Sequence, residues 1–200
     1  MAQTDKRREI LIKRFNDYKS RFVDYIGKKE FEDICDLLGG EEKLISATYA
    51  NMLSSGYAYE GSLVRAALDI ASYAFNVNNT LPADERWEPR SLVKVCLLCQ
   101  ISKAQIFIPN TNNWEVNNRG ILYSFNKSLK GEMDFGERSA YLALSAGIKL
   151  SPEEYESLIS FNKDETKADA FYGSTLTLLL RTAINLANKH GKISFEKANK

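Results

Sequence analysis

Apolar residues recur three or four positions apart through most of the chain, which is the spacing of one face of an α-helix. Near the N-terminus this pattern predicts an amphipathic helix over about residues 5–26, ending near Gly27. Its apolar positions are Leu11, Phe15, Tyr18, Phe22 and Tyr25. The same spacing predicts a short helix to Leu38 and helices over residues 41–53, 63–75, 92–103, 136–148 and 176–190.

Capping residues indicate where two of these helices begin and end. Ser151 and Pro152, followed by two glutamates, form a typical helix start, since the hydroxyl caps free amides and acids suit the helix dipole. Gly191 is expected to end the last helix, so that His190 would interact with its free carbonyls. Residues 76–90 contain three asparagines and two prolines, and predict a loop.

The helical pattern is interrupted between residues 104 and 134. Two short β-prone runs, residues 106–109 and 121–123, flank the asparagine-rich stretch 110–118. They predict two strands around a turn. We therefore expect an all-α fold with a small β-hairpin insertion, with residues 1–28 as an N-terminal amphipathic helix and residues 29–200 as the helical domain.

Composition narrows the class of protein. The 200 residues suffice for one domain with a sizeable core, and the net charge of +1 gives no overall basic field for nucleic acid. No apolar run is long enough to span a membrane, and the charged N-terminus does not look like a signal peptide, so a cytoplasmic protein is expected. Cys96 and Cys99 form a single C-x-x-C pair in apolar sequence, which favours buried thiols over a zinc or redox site.

Three segments in order resemble HD-domain hydrolases of the kind common in phages and gut bacteria. Residues 57–68, YAYEGSLVRAAL, are similar to their "AYEGGLVxHSL", and residues 97–103, LLCQISK, to their "LLHDLGK". FGERS at 135–139 is similar to "GHGEKS". The resemblance covers about residues 45–190 and implies an HD-like helical fold.

The resemblance also implies that the metal ligands have been lost. HD enzymes hold divalent metals with histidines and aspartates, and the metal activates a water against a phosphoester. The corresponding positions here are Ala66, Cys99, Gln100, Phe135, Asn162 and Ile184. Since His190 is the one histidine, no polyhistidine site is available. We expect a pseudoenzyme with no metal and no cofactor, whose former cavity is filled by Phe135 and Ile184.

Charged residues near these positions have two interpretations. Lys103 matches the lysine of "LLHDLGK" and could hold an anion with Arg65 or Arg138, but a solvated amine on a packed stem is favoured. Arg138 could instead brace the fold in a buried pair with a glutamate. The residues that precede the apolar helix could line the former pocket, although packed tyrosines are the more common case. They are Tyr57, Tyr59 and Glu60.

The sequence supports two main classes of function and identifies no ligand for either. The first is a structural or interaction subunit, which could be a phage virion component, with self-assembly or a protein partner. The alternative is a module that binds a nucleotide or phosphate without hydrolysis. An enzyme with a new site stays open as a third. Basic residues on the first helix could also face an acidic partner or nucleic acid, unless that helix packs on its own domain.

Overall fold

The structure is a computed structural model that describes residues 2–163 and 174–198, with side chains from residue 6 to residue 193 except 164–173. Within these ranges the chain is mostly helical and has one antiparallel pair of strands. The predicted fold class, all-α with a small β-hairpin, is therefore confirmed. The helices are α1 (Ala2–Tyr25), α2 (Lys28–Leu38), α3 (Glu41–Ser46), α4 (Ser62–Thr80), α5 (Pro89–Leu98), α6 (Lys103–Ile106), α7 (Asn113–Arg119), α8 (Phe135–Ser145), α9 (Pro152–Ser160) and α10 (Thr175–Ala198).

Helix α1 packs its apolar face on its own domain. Phe15 and Phe22 are buried beside Phe31 of α2, and the Tyr18 hydroxyl donates to the carbonyl of Leu97, 3.0 Å away in α5. The interpretation that this helix packs on its own domain is therefore confirmed for its apolar face. Basic residues of α1 also have acidic neighbours. The ion pairs are Arg7–Glu60, Arg8–Glu42 and Lys19–Glu41.

The centre of the core is formed by α4, α5 and α10. Ile70 and Ala74 of α4, Leu97 of α5 and Ala183 of α10 are completely or almost completely buried. The small side chains of Ala74 and Ala183 favour a close approach of α4 and α10 and dense packing between them. The thiols of Cys96 and Cys99 lie in this core, as the apolar sequence around them predicted.

Two predicted helices end earlier than the apolar pattern indicated. Helix α3 ends at Ser46, because the Thr48 hydroxyl donates to the carbonyl of Ala50 at 2.7 Å and holds the following chain in an extended path. Helix α5 ends at Leu98, and a turn follows in which the Ser102 hydroxyl donates to the carbonyl of Phe135 at 2.8 Å. The turn separates α5 from α6, which begins at Lys103.

The predicted hairpin is present, but its second strand begins at Tyr123, two residues later than predicted, because Ile121 pairs with Met52 instead. Its connection is not a simple turn. Strand β1 (Phe107–Pro109) pairs with β2 (Tyr123–Phe125), and Phe107 lies opposite Phe125. Helix α7 lies between the strands. The Asn112 side chain caps it by accepting from the amides of Trp114 and Glu115, so an asparagine that looked like a turn residue begins a helix.

Helix α8 ends at Ser145, three residues before its predicted end. One predicted start is confirmed in α9, and one predicted end is wrong in α10. Helix α9 begins with the predicted Ser151 cap, which forms a capping box with Glu154. The prediction that Gly191 ends the last helix is wrong, because α10 continues to Ala198. A Cβ atom on Gly191 would lie 2.3 Å from Cε2 of Tyr57, so this glycine permits a close contact. His190 therefore lies within the helix, with its ring 6.3 Å from that of Tyr73.

The predicted loop at 76–90 is shorter than expected. Helix α4 continues to Thr80, and α5 begins at Pro89. The extension is stabilised by Asn78, whose side chain accepts from the amide of Trp87 and donates to its carbonyl, both at 3.0 Å. An asparagine that looked like a loop residue thus ties the end of one helix to the approach to the next.

Candidate functional site

A cleft of about 550 Å³ opens between the start of α6, the hairpin, the start of α8, the end of α9 and one face of α10. We call it the central cleft. Its aromatic lining consists of Tyr49, Phe107, Phe125, Phe135 and Phe161. Its amide side chains are Asn51, Gln100, Asn162, Asn185 and Asn188. Among the described residues its charged lining is Lys103, Arg181 and Lys192, with no carboxylate.

Lys103 lies in an aromatic part of the central cleft. Its side chain is nearly buried, and its Nζ atom lies 3.7 Å from the ring centroid of Tyr49 and 5.1 Å from that of Phe135. Among the described residues, this Nζ contacts aromatic rings, and the Cys99 thiol interacts with it electrostatically. Burial lowers the pKa of Lys103 from 10.5 to about 7, because the charged amine loses its hydration. The favoured expectation of a solvated amine is therefore wrong.

Gln100 supplies a buried acceptor to the same cleft. Its side chain is only 5% exposed, and its Oε1 atom has no hydrogen-bond donor among the described residues. A buried polar atom without a partner costs about 1–3 kcal/mol, so such atoms are uncommon unless a ligand or water satisfies them. Gln100 Oε1 is thus an unsatisfied acceptor just beneath the surface of the cleft.

The positions predicted from lost metal ligands fall into two sets. Gln100, Phe135, Asn162 and Ile184 come from four distant parts of the chain, and all of them line the central cleft. Ala66 and Cys99 are instead completely buried in the core and do not line it. The Cys99 thiol donates to the carbonyl of Cys96, and burial raises its pKa to about 12.

The expectation that Phe135 and Ile184 fill the cavity is wrong. The Phe135 ring is only half-buried and packs 6.0 Å from the ring of Phe107 in β1. Phe135 is the first residue of α8, and its backbone carbonyl accepts a hydrogen bond from the Ser102 hydroxyl. The ring therefore lies along one wall, Ile184 forms part of another, and the space between them stays open.

The predicted anion-binding trio is not brought together. Arg65 pairs with Asp69 at 2.7 Å, and that carboxylate also accepts from the Tyr57 hydroxyl at 2.9 Å. Arg138 donates to the carbonyl of Lys130 at 2.9 Å. Neither arginine lines the central cleft, because each is held by a partner elsewhere.

The residues before α4 have structural contacts instead of a place in the central cleft. The Tyr57 ring packs against Gly191 and its hydroxyl bonds to Asp69, as expected for a packed tyrosine. Tyr59 and Glu60 line a separate groove beside α1. Arg138 does brace the fold, but through backbone carbonyls, while its neighbour Glu137 caps α8 and lies 3.4 Å from Lys163.

Helix α10 contributes residues that the sequence pattern could have indicated. Arg181, Asn185, Asn188 and Lys192 are spaced four, three and four residues apart, so they follow one face of the helix. All four line the central cleft. Arg181 also donates to the carbonyl of Phe161 at 3.0 Å, which fastens the end of α9 to α10. The sequence signal for these residues was a row of polar positions at helical spacing, next to a row of apolar positions on the same helix.

Comparison of the chain with protein-family models, curated protein sequences and solved structures finds no match. In the part of the chain that the structure describes, no three histidine, cysteine, aspartate or glutamate residues lie close enough to hold a metal ion. Nor is any helix of that part long and apolar enough to cross a membrane.

Proposed function

We propose that this chain is a degenerate HD-like domain whose central cleft binds a small phosphate-bearing anion without hydrolysing it. One observation carries the proposal: Lys103, Arg181 and Lys192 line the cleft, and no carboxylate does so among the residues described. The relation to HD domains is supported by four of the six aligned positions, which meet in this cleft although they are distant in sequence.

The electrostatics of the central cleft favour an anion. A buried lysine without a counter-ion is destabilised by lost hydration, and a bound phosphate would offset that cost through a charge-assisted hydrogen bond. The anion would also raise the pKa of Lys103, which burial lowers to about 7. Binding near pH 7 would then be accompanied by proton uptake from solvent, which can be measured directly.

The uncharged lining suits the remainder of a nucleotide. Gln100 Oε1 can accept from an amine or hydroxyl group, and the ring of Phe125 is exposed enough to stack on a base. The cleft volume of about 550 Å³ is within the range of small-molecule sites. A mononucleotide is therefore the ligand class that we would test first.

Calorimetric titration of the full chain with inorganic phosphate, mononucleotides and cyclic dinucleotides tests this proposal. We expect binding that takes up protons near pH 7, with no release of phosphate. Lys103→Met should weaken binding by about 10- to 100-fold, since a hydrogen bond to a charged group contributes about 1.5–3 kcal/mol. Lys189→Met is the matched control, because Lys189 is exposed and does not line the cleft. Absence of binding by every ligand would refute the proposal.

A second candidate is the interaction subunit, in which this chain assembles with copies of itself, as a virion component would. The observation that favours it is α7, which has no buried residue and carries Trp114 with 62% of its surface exposed. Tryptophan is enriched among residues that dominate protein interfaces. Sedimentation at rising concentration is the test: we expect an oligomer that Trp114→Ala dissociates, whereas a monomer at every concentration would exclude self-assembly.

A further inference from the structure

We propose that Lys103 forms a reversible imine with a carbonyl compound that carries an anionic group. The proposal rests on the proposed function, since the anionic group would be held by the other basic residues of the central cleft, Arg181 and Lys192, while Lys103 meets the carbonyl. It adds a covalent step and narrows the ligand to aldehydes and ketones with a carboxylate or phosphate.

The position of the Lys103 amine is the first reason. Lys103 lines a cleft large enough for a small molecule, and its Nζ lies over the rings of Tyr49, Phe135 and Phe107, with the neutral Cys99 thiol also close by. A lysine amine attacks a carbonyl only when its lone pair is free, and a carboxylate beside it would hold it as an ammonium ion. Among the described residues that line the cleft, none provides such a carboxylate, so the described lining leaves the lone pair of this amine free.

The protonation state supports this geometry. Desolvation lowers the pKa of Lys103 to about 7, so roughly half of the amine is neutral at neutral pH. A solvent-exposed lysine with a pKa near 10.4 is almost wholly charged under the same conditions. Lys103 should accordingly react with a carbonyl far faster than lysines on the surface.

The chemistry balances without an oxidant or reductant. The lone pair of Nζ attacks the carbonyl carbon, the carbonyl electron pair moves to oxygen, and a proton passes from nitrogen to that oxygen to give a carbinolamine. Loss of the hydroxyl as water then forms the carbon–nitrogen double bond. One water is released for each imine, and hydrolysis reverses the step.

Gln100 provides the second structural reason. Its buried Oε1 lacks a donor among the described residues, and Gln100 lines the cleft three residues before Lys103, in the turn between α5 and α6. Both the carbinolamine hydroxyl and the protonated imine N–H would donate to this oxygen once the Gln100 side chain turns toward the cleft. The imine would thus satisfy an acceptor that the folded chain by itself leaves unpaired.

Reductive trapping tests the proposal. The full chain is incubated with glyoxylate or pyridoxal 5′-phosphate and cyanoborohydride, which reduces an imine to a stable secondary amine, and adducts are located by peptide mass spectrometry. We expect Lys103 to be modified at least ten times faster than any other lysine. Comparison of the two probes tells whether the anionic group is a carboxylate or a phosphate. Labelling spread evenly over surface lysines would overturn the proposal.

Controls separate this proposal from the anion site on which it rests. Lys103→Arg keeps the positive charge but cannot form an imine, so it should lose the adduct and still bind inorganic phosphate. In the unchanged protein, phosphate should slow the labelling of Lys103, which provides a test even if the variant does not fold. Phosphate binding without labelling would refute the imine alone. Rapid labelling of Lys103 that phosphate does not slow would refute the anionic part of the ligand.

Discussion

The Nζ atom of Lys103 lies 3.7 Å from the centre of the Tyr49 ring. Both side chains are almost completely buried, so they meet in the wall of the central cleft with little exposure to solvent. The ring face attracts the ammonium form, whereas desolvation favours the neutral amine. The balance of these two effects sets the pKa of Lys103 and so its charge in the central cleft. Titration and mutation can measure it.

We predict that Lys103 makes stability increase with pH above neutrality. The pKa of this group is about 7 when folded and near its ordinary 10.5 when unfolded. Between these values the unfolded chain binds more protons, so stability increases by up to about 1.4 kcal/mol per pH unit. Denaturant unfolding should show Lys103→Met more stable than the unchanged chain below pH 7, with a gap that closes toward pH 10. A constant gap would contradict a lowered pKa.

Removing the Tyr49 ring should lower the pKa of Lys103 further. A cation over a buried ring gains about 0.5–2 kcal/mol, which corresponds to roughly 0.4–1.5 pH units at 1.36 kcal/mol per unit. Tyr49→Leu should show this decrease in an NMR titration of the lysine side chain, and Tyr49→Phe, which keeps the ring, is its control. An unchanged pKa in the leucine variant would mean that the ring does not stabilise the ammonium ion.

Phe135 should contribute less to stability than a phenylalanine of the core. Its ring is half-buried on a cleft wall, whereas Phe22 is completely buried between α1 and α2. We expect Phe22→Ala to cost about 3–5 kcal/mol in urea unfolding, and Phe135→Ala to cost well below that range. Equal costs would show that Phe135 fills the core after all.

Adding one methyl group at Gly191 should destabilise the fold. Alanine usually favours a helix over glycine by about 1 kcal/mol. Here its Cβ would lie 2.3 Å from a ring carbon of Tyr57, so the ring or the helix must move. Such overpacking typically costs about 1–3 kcal/mol of stability. Thermal unfolding should therefore place Gly191→Ala below the unchanged chain. A rise in the midpoint would mean that Tyr57 moves aside freely.

The sequence determined those features that depend on near neighbours in the chain. The apolar spacing in α1, the Ser151 cap of α9 and the first strand of the hairpin were predictable, because helix faces, caps and strand patterns are set by residues a few positions apart. The second strand lies two residues further along than its apolar run indicated. The burial of Cys96 and Cys99 followed for the same reason, since the apolar residues around them require a core position.

The aligned positions of the candidate site were predictable only as a set of residues. Gln100, Phe135, Asn162 and Ile184 could be named from the resemblance, but nothing in their spacing showed that they surround open space. The expected filling by Phe135 failed because its ring turns toward Phe107, a residue of the hairpin. Arg65 failed as an anion-binding residue because Asp69, one helical turn away, pairs with it.

Tertiary structure alone decided the environment of Lys103. The sequence favoured a solvated amine, as is usual for lysine, and its burial depends on Tyr49, Phe107 and Phe135, which only the fold brings around it. Gly191 is a second case. The sequence suggested that it ends a helix, whereas in the fold it allows the distant Tyr57 to pack against α10. Local rules specify helices, strands and caps, whereas burial, pKa and the shape of a cleft are set by partners that are distant in sequence.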